Sequence, residues 1–311
     1  MAASALAKPP PVYVLFHNFW NGFIEKTDSM DCTFFITLLE KTFNAPIHIT
    51  TSADTATVLV ESIFGNQTYL HYKKWGATFL FTGEAHYCNC QNIHLYDCVL
   101  GFEDTRDKYV KCPLYLLFLQ TNPSILEHIK AAPTTVAADT AVTADVIPPN
   151  IASVIISNVH GNERLQFLDC VERAMPVFFG GKYKNNVGGV VGGSYNSTGM
   201  NDFYKRGKFA ITMENSDKPY YITEKLVNGL RSGVIPVYWG TSRIGEFFNP
   251  RRFLHLRAGA TQIDMDALIH RMKTMTDQEY ANIIREPIMT RTMEDVMDEI
   301  SHSIKKILTC A

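Results

Sequence analysis

Five polar side chains crowd the stretch MENSDKPYYITEKLVNGLRSGVIP, residues 213–236: Glu214, Asn215, Tyr221, Glu224 and Lys225. They bring carboxylates, an amide, a phenol and an ammonium into about one loop and one helical turn. A loop-to-helix junction needs a cap and little more, so this density reads as the floor of a ligand site. Lys225 opens a predicted helix, EKLVNGLRSG, where its charge adds to the positive end of the helix dipole. Arg164 stands near the start of another predicted helix, and Glu84 follows an apolar strand in FLFTGE.

The elements that must position these residues repeat in a strand–helix rhythm. PPVYVLFHNFW reads as a first strand, and residues 32–43, CTFFITLLEKTF, have apolar residues at helical spacing. APIHITTSA and TATVLVESIFG read as the next strands. TYLHYKKWG is a helical or mixed segment leading into a strand at 77–81, and HLYDCVLGFED carries another. Residues 131–150, AAPTTVAADTAVTADVIPPN, are rich in small residues, threonine and proline and read as a linker. Beyond it come a strand at 151–157, an amphipathic helix with Leu165, Leu168 and Val171 on one face, the strands KFAITMEN and VIPVYWG, the strand FLHL, and the helices ALIHRMKTM and MEDVMDEISHSIKKILTC. This pattern predicts an α/β protein with two Rossmann-like domains facing a cleft. Their bounds are 1–130 for an N-terminal domain and 151–311 for a C-terminal one, with the tail helix a candidate for packing back onto the first. Ligands of open α/β sheets sit outside the carboxyl ends of strands, which is where Glu84 and residues 214–225 fall. Glu84 and Lys225 are therefore expected to face one cleft.

Composition sets the outer bounds. The 311 residues are 46% hydrophobic and 19% charged with a net charge of -2, the profile of a globular protein with no demand for nucleic acid or an anionic membrane. Seven cysteines include a Cys88/Cys90 pair, but no second pair stands at zinc-site spacing, and buried free thiols are expected. The N-terminus lacks a basic start followed by a long apolar run, and no stretch is long enough to span a bilayer. A cytoplasmic setting is expected.

E-N-S-x-x-x-x-Y-I-T-E-K followed by G-V-I-P-V-Y-W-G resembles the donor-binding signature of the α-1,3/4-fucosyltransferases, glycosyltransferase family ten. FLFTGE, LYDCVLGFED and PLYL are similar to the N-terminal half of its bacterial and viral members, and VIISNVHGNERLQF to the segment after its linker. ESIFG and FHNFW are similar more loosely. The resemblance implies the GT-B fold and an inverting transfer of L-fucose from GDP-fucose to a glycan hydroxyl, O3 of N-acetylglucosamine or glucose being expected. It implies Arg164 and Lys225 on the diphosphate, whose departing negative charge cations stabilise, and Glu84 as the base that takes the acceptor proton. Gly83 would let substrate approach closely. Asn215, Tyr221 and Glu224 would contact the donor, the carboxylate accepting from a diol and the ring offering a flat face. Glu214 either joins them or holds the loop by accepting backbone N–H groups. Outside matched motifs, Arg164 and Lys225 read as solvated cations and Glu84 as a loop carboxylate; Asp97 and Glu103 are the alternative bases.

Other features stay open. NNVGGVVGGSYNSTG lacks the phosphate-loop and dinucleotide spacings and reads either as a loop beside the donor or as a flexible connector. Asp264-Met-Asp266 has the form of a metal-binding D-x-D triplet, yet either aspartate suits a helix N-cap; the family lacks such a site, and no metal or other cofactor is expected. Trp20 could stack on an acceptor sugar or be buried, and His17 and Asn18 accompany it after the first strand. Two other readings compete: a transferase using another nucleotide sugar, and a non-catalytic carbohydrate-binding protein.

Overall fold

A computed structural model describes residues 9–24, 32–85, 92–103, 107–120, 126–127, 129, 147–157, 162–192 and 198–310. The chain divides into two compact units, Met1–Thr121 with Thr292–Ala311, and Asn122–Arg291. The predicted linker up to residue 146 and the Cys88/Cys90 pair lie outside the described residues.

The first unit carries a six-stranded sheet in the order β2-β1-β3-β4-β5-β6, parallel throughout. Its strands are β1 (Val12–His17), β2 (Ile47–Ile49), β3 (Val58–Ser62), β4 (Ala77–Phe81), β5 (Cys98–Gly101) and β6 (Tyr109–Lys111). The continuous apolar runs of β3, β4 and β5 fit strands buried on both faces. Helix α1 (Thr33–Phe43) buries Phe34, Phe35, Leu38 and Leu39, spaced at i, i+1, i+4 and i+5, and ends at Asn44 in the left-handed conformation (φ 52°). Each such side chain stabilises the unit by about 1.5–3 kcal/mol through burial. After the short helix α2 (Tyr115–Gln120), this sheet is completed by the tail: the last helix, at Met293–Cys310, belongs to this unit and buries Met293, Val296, Met297, Ile300 and Ile304. Ile307, one turn beyond Ile304, is only half-buried.

The second unit has a five-stranded parallel sheet in the order β11-β10-β9-β7-β8. Its elements in chain order are β7 (Ala152–Val154), α3 (Asn162–Ala174), β8 (Val177–Phe179), α4 (Thr198–Tyr204), β9 (Phe209–Met213), α5 (Glu224–Arg231), β10 (Ile235–Gly240), β11 (Leu254–Arg257), α6 (Gln262–Thr274) and α7 (Asp277–Ile284); the tail helix is then α8. Gly229 lets α5 close on the sheet, since a Cβ there would stand 2.8 Å from Thr212 Cγ2 and 3.2 Å from Pro236 Cγ.

The elements depart from expectation in local ways. Strand β7 ends at Val154, leaving Ile155 to Ser157 beyond the strand. Helix α3 buries Phe167 with Leu168 and Val171, while Leu165 is only partly buried. Residues 68–76 form turns in place of a helix, with Trp75 Nε1 donating to the Tyr69 carbonyl (3.0 Å). Neither Asp264 nor Asp266 caps a helix. Thr261 is the N-cap of α6, and Asp264 at N3 accepts from Thr261 N–H (2.8 Å) and Oγ1 (2.6 Å) in a capping box. Cys32, Cys98, Cys112 and Cys170 are buried free thiols, and burial pushes Cys112 up to about 12, so it stays protonated and unreactive.

Candidate functional site

In the second unit the chain leaves β7 toward β8 on one side and returns to β9 on the other. That reversal is where open α/β sheets leave a crevice at the strands' carboxyl ends. A cavity of about 300 Å³ opens there, lined by Ile155, Ile156 and Ser157 after β7, by Ile211, Thr212 and Met213 of β9, and by Met200, Tyr204 and Asn228. Four of the predicted residues complete the lining: Arg164, Asn215, Glu224 and Lys225. Positions some 60 residues apart, 164 and 225, are thus brought together by the topology.

Each cation is held by its neighbours. Arg164 is 2% exposed and donates from Nη1 to Asn215 Oδ1 (3.1 Å). Burial pulls its pKa down, while Glu214 opposes the shift. Lys225 Nζ donates to Thr223 Oγ1 (3.1 Å) and Glu224 Oε1 (3.2 Å) and stands 3.5 Å from Glu214 Oε2. Burial works against its charge, but the carboxylates of Glu224 and Glu214 outweigh it and hold its pKa above the ordinary lysine value.

Glu214 lies under the cavity lining. It is wholly buried, accepting from Thr223 N–H (2.8 Å) and Thr223 Oγ1 (2.7 Å). Thr223 is the N-cap of α5, so Glu214 ties the end of β9 to the start of that helix. Burial raises the pKa of Glu214, and Lys225 with the Thr223 donors counters it. Gly240 makes room: at φ 155°, a Cβ there would stand 2.5 Å from Tyr238 Oη and 3.0 Å from Glu214 Cγ. Tyr221 is buried next to this cluster and is not part of the cavity lining. Tyr204, Asn228 and Ser157 line the cavity without having been singled out in the sequence; the first two come from helices α4 and α5. Of the glycine-rich stretch, residues 185–192 and 198–199 are described: Asn185 Nδ2 donates to the carbonyls of Gly181 and Gly189 (2.9 Å each), its Oδ1 accepts from Gly189 N–H (3.0 Å), and Thr198 and Gly199 open α4.

The remaining predicted residues belong to the first unit. Glu84 is exposed on the loop after β4, at the carboxyl edge of the sheet, and Gly83 precedes it under the Phe81 ring. Trp20 is half-buried among aromatic rings, 5.1 Å from Phe23 and 6.0 Å from Phe64. Asp97, an alternative base, accepts from Thr78 N–H (2.8 Å) and Oγ1 (2.9 Å) at the amino-terminal end of β4, away from that edge. Among the described residues, no group of three or more His, Cys, Asp or Glu side chains is placed to hold a metal ion, and no helix is long and apolar enough to cross a membrane.

Residues 149–284 match the family model for glycosyltransferase family 10 (fucosyltransferase), C-terminal domain. The chain is 25% identical over 277 residues to the alpha-(1,3)-fucosyltransferase of Helicobacter pylori, covering 81% of this chain and 55% of that protein. It is 30% identical over 119 residues to a putative fucosyltransferase of Acanthamoeba polyphaga mimivirus, covering 37% and 20% respectively. It thus spans about half the length of the first relative and less of the second. A crystal structure of an α1,3-fucosyltransferase shares the fold, with TM-score 0.70 and 22% identity over 99% of this chain and 92% of that one. The same holds for a crystal structure of an α1,3-fucosyltransferase with GDP-fucose, at TM-score 0.69 and 20% identity over 99% and 94%.

Proposed function

We propose that this chain, whose residues 149–284 carry the C-terminal domain of the family 10 fucosyltransferases, moves L-fucose from GDP-fucose to a glycan hydroxyl with inversion. The observation that carries this reading is the convergence of Arg164, Asn215, Glu224 and Lys225 on one cavity at the β7/β9 reversal. Two cations and the start of α5 suit a diphosphate. The apolar lining of Ile155, Ile156, Ile211 and Met213 suits a base or sugar face beside it.

In the reaction, the acceptor oxygen attacks the anomeric carbon as the bond to the diphosphate breaks. Negative charge grows on the leaving phosphate, and Arg164 and Lys225 stabilise it more in the transition state than in the bound donor. Glu224 accepts from hydroxyls of the bound donor. Glu84, on the first unit, takes the acceptor proton. The cations serve the diphosphate without a divalent metal. The acceptor hydroxyl expected is O3 of N-acetylglucosamine or glucose.

Calorimetric titration with GDP-fucose, GDP-mannose and UDP-glucose tests the donor. GDP-fucose should bind at least tenfold tighter than either other nucleotide sugar. Equal affinities would remove the assignment.

A further inference from the structure

In the reading above, the diphosphate meets two cations from different elements. Arg164 lies on the first turn of α3 and Lys225 on the first turn of α5. Glu214 holds Lys225 from beneath the cavity lining. The start of α3 has its own anchor, and that anchor runs through Trp239.

Trp239 lies near the end of β10, in register with Met213 of β9 and Leu256 of β11, and is 6% exposed. It bonds on two sides. Its carbonyl accepts from Glu214 N–H (2.9 Å). Its indole Nε1 donates to Glu163 Oε2 (3.0 Å), and Gly259 N–H, just after β11, donates to the same oxygen (3.2 Å). Glu163 immediately precedes Arg164. One side chain thus pins the start of α3 to the carboxyl ends of β10 and β11, and Trp239 joins that pin to the residue that holds Lys225.

A carboxylate in the first turn of a helix ordinarily answers the helix dipole and needs no partner elsewhere. Glu163 instead reaches two other elements, and neither it nor Trp239 lines the cavity. Its charge is unfavourable where it stands. Burial and then Glu163 raise the pKa of Asp217, two residues past Asn215, so the carboxylate lies near the loop that carries Asn215. A negative charge there repels an anionic ligand.

We infer that Glu163 is a positioning residue for the donor. Through Trp239 and Gly259 it holds the first turn of α3 so that Arg164 reaches Asn215 and the diphosphate; it acts through Arg164 and not by touching the ligand. This rests on the transferase reading, which assigns the diphosphate to this cavity.

The test is calorimetric titration of GDP, with urea denaturation and the indole N–H resonances recorded on every variant. The chain has three tryptophans, and Trp239→Phe identifies the signal of Trp239. Charge alone predicts that Glu163→Ala tightens GDP binding, because a nearby negative charge is lost. Positioning predicts the opposite sign: GDP binding about tenfold weaker, with the Trp239 indole proton shifted upfield. Both donors meet one oxygen, so Glu163→Gln, whose amide oxygen can take its place, should recover most of the loss. Trp239→Phe keeps the bulk of a ring without the donor and should also weaken GDP. In an Arg164→Ala background, Glu163→Ala should cost nothing further, since its effect runs through Arg164. GDP bound by Glu163→Ala as tightly as by wild type, or a loss that persists in the Arg164→Ala background, overturns the inference and leaves the transferase reading standing. Failure of GDP to bind the wild-type chain overturns both.

Discussion

The carboxylate of Glu214, wholly buried, lies 3.5 Å from the ammonium of Lys225 at the cavity wall. Through Thr223 it also clamps the first turn of α5. One residue therefore sets both the charge and the position of a group proposed to meet the diphosphate. Glu214→Ala would leave that turn and Lys225 without their shared acceptor. We expect a loss of about 3 kcal/mol in folding stability and at least tenfold in GDP affinity. Glu214→Gln keeps an acceptor for Thr223 N–H and should cost less stability than Glu214→Ala while still weakening GDP. Chemical denaturation and calorimetry on the pair check both; equal stability losses would show that the charge beside Lys225, and not the acceptor oxygen for Thr223, is what matters there.

Lys225→Met removes the charge and keeps most of the stem. GDP affinity is expected to fall about a hundredfold, as for loss of a charge-assisted contact. Arg164→Lys retains charge but gives up the planar fork that reaches Asn215, and should cost about tenfold. Calorimetry across a salt series separates the two: the Lys225→Met variant should show the shallower salt dependence.

Gly240 is a steric test of the same cluster. Its φ of 155° and the Tyr238 and Glu214 atoms around it leave no place for a methyl group. Gly240→Ala should destabilise the C-terminal unit by about 2–3 kcal/mol, read as a lower midpoint in urea at unchanged slope. A midpoint equal to wild type would mean the loop relaxes freely.

Acid sensitivity has a specific source in His255. Its Nε2 is buried with no hydrogen-bond partner among the described residues, and burial lowers its pKa. The folded chain thus prefers the neutral ring. Below about pH 6.5, the ordinary value, the unfolded chain takes up the proton first, so this contribution to stability falls as pH drops toward the folded-state pKa. His255→Phe should show a smaller drop in melting temperature between pH 7.5 and 5.5 than wild type. An equal drop would assign the acid response to other groups.

The convergence of Asn215, Glu224 and Lys225 on one cavity was legible in sequence because they lie within one short stretch between a strand and a helix. Arg164 joined it through its own motif, and the parallel topology brings the two stretches to one cavity. Tyr204 was not legible, since only packing brings α4 to the cavity; Asn228 lies on α5 at i+4 from Glu224 and i+3 from Lys225, a spacing that could have pointed to it. The N3 role of Asp264 is written in the T-x-x-D spacing of residues 261–264, which marks a capping box and overlaps the D-x-D triplet. The His17–Glu61–Tyr96 network, with His17 Nδ1 and the Tyr96 hydroxyl each 2.6 Å from the buried Glu61 carboxylate, was not legible: residues 17, 61 and 96 have no local pattern, the β1/β3 register brings His17 to Glu61, and Tyr96 comes from the chain just before β5.

The central claim is that the chain transfers fucose with Glu84 as the base. The most direct measurement is turnover of GDP-fucose over a glycan panel by wild type and Glu84→Gln, with GDP affinity measured alongside. Wild type should fucosylate at least one glycan, and Glu84→Gln should lose at least a hundredfold in kcat while binding GDP as wild type does. Unchanged turnover in Glu84→Gln, or GDP-fucose left untransferred by wild type across the panel, would contradict the account.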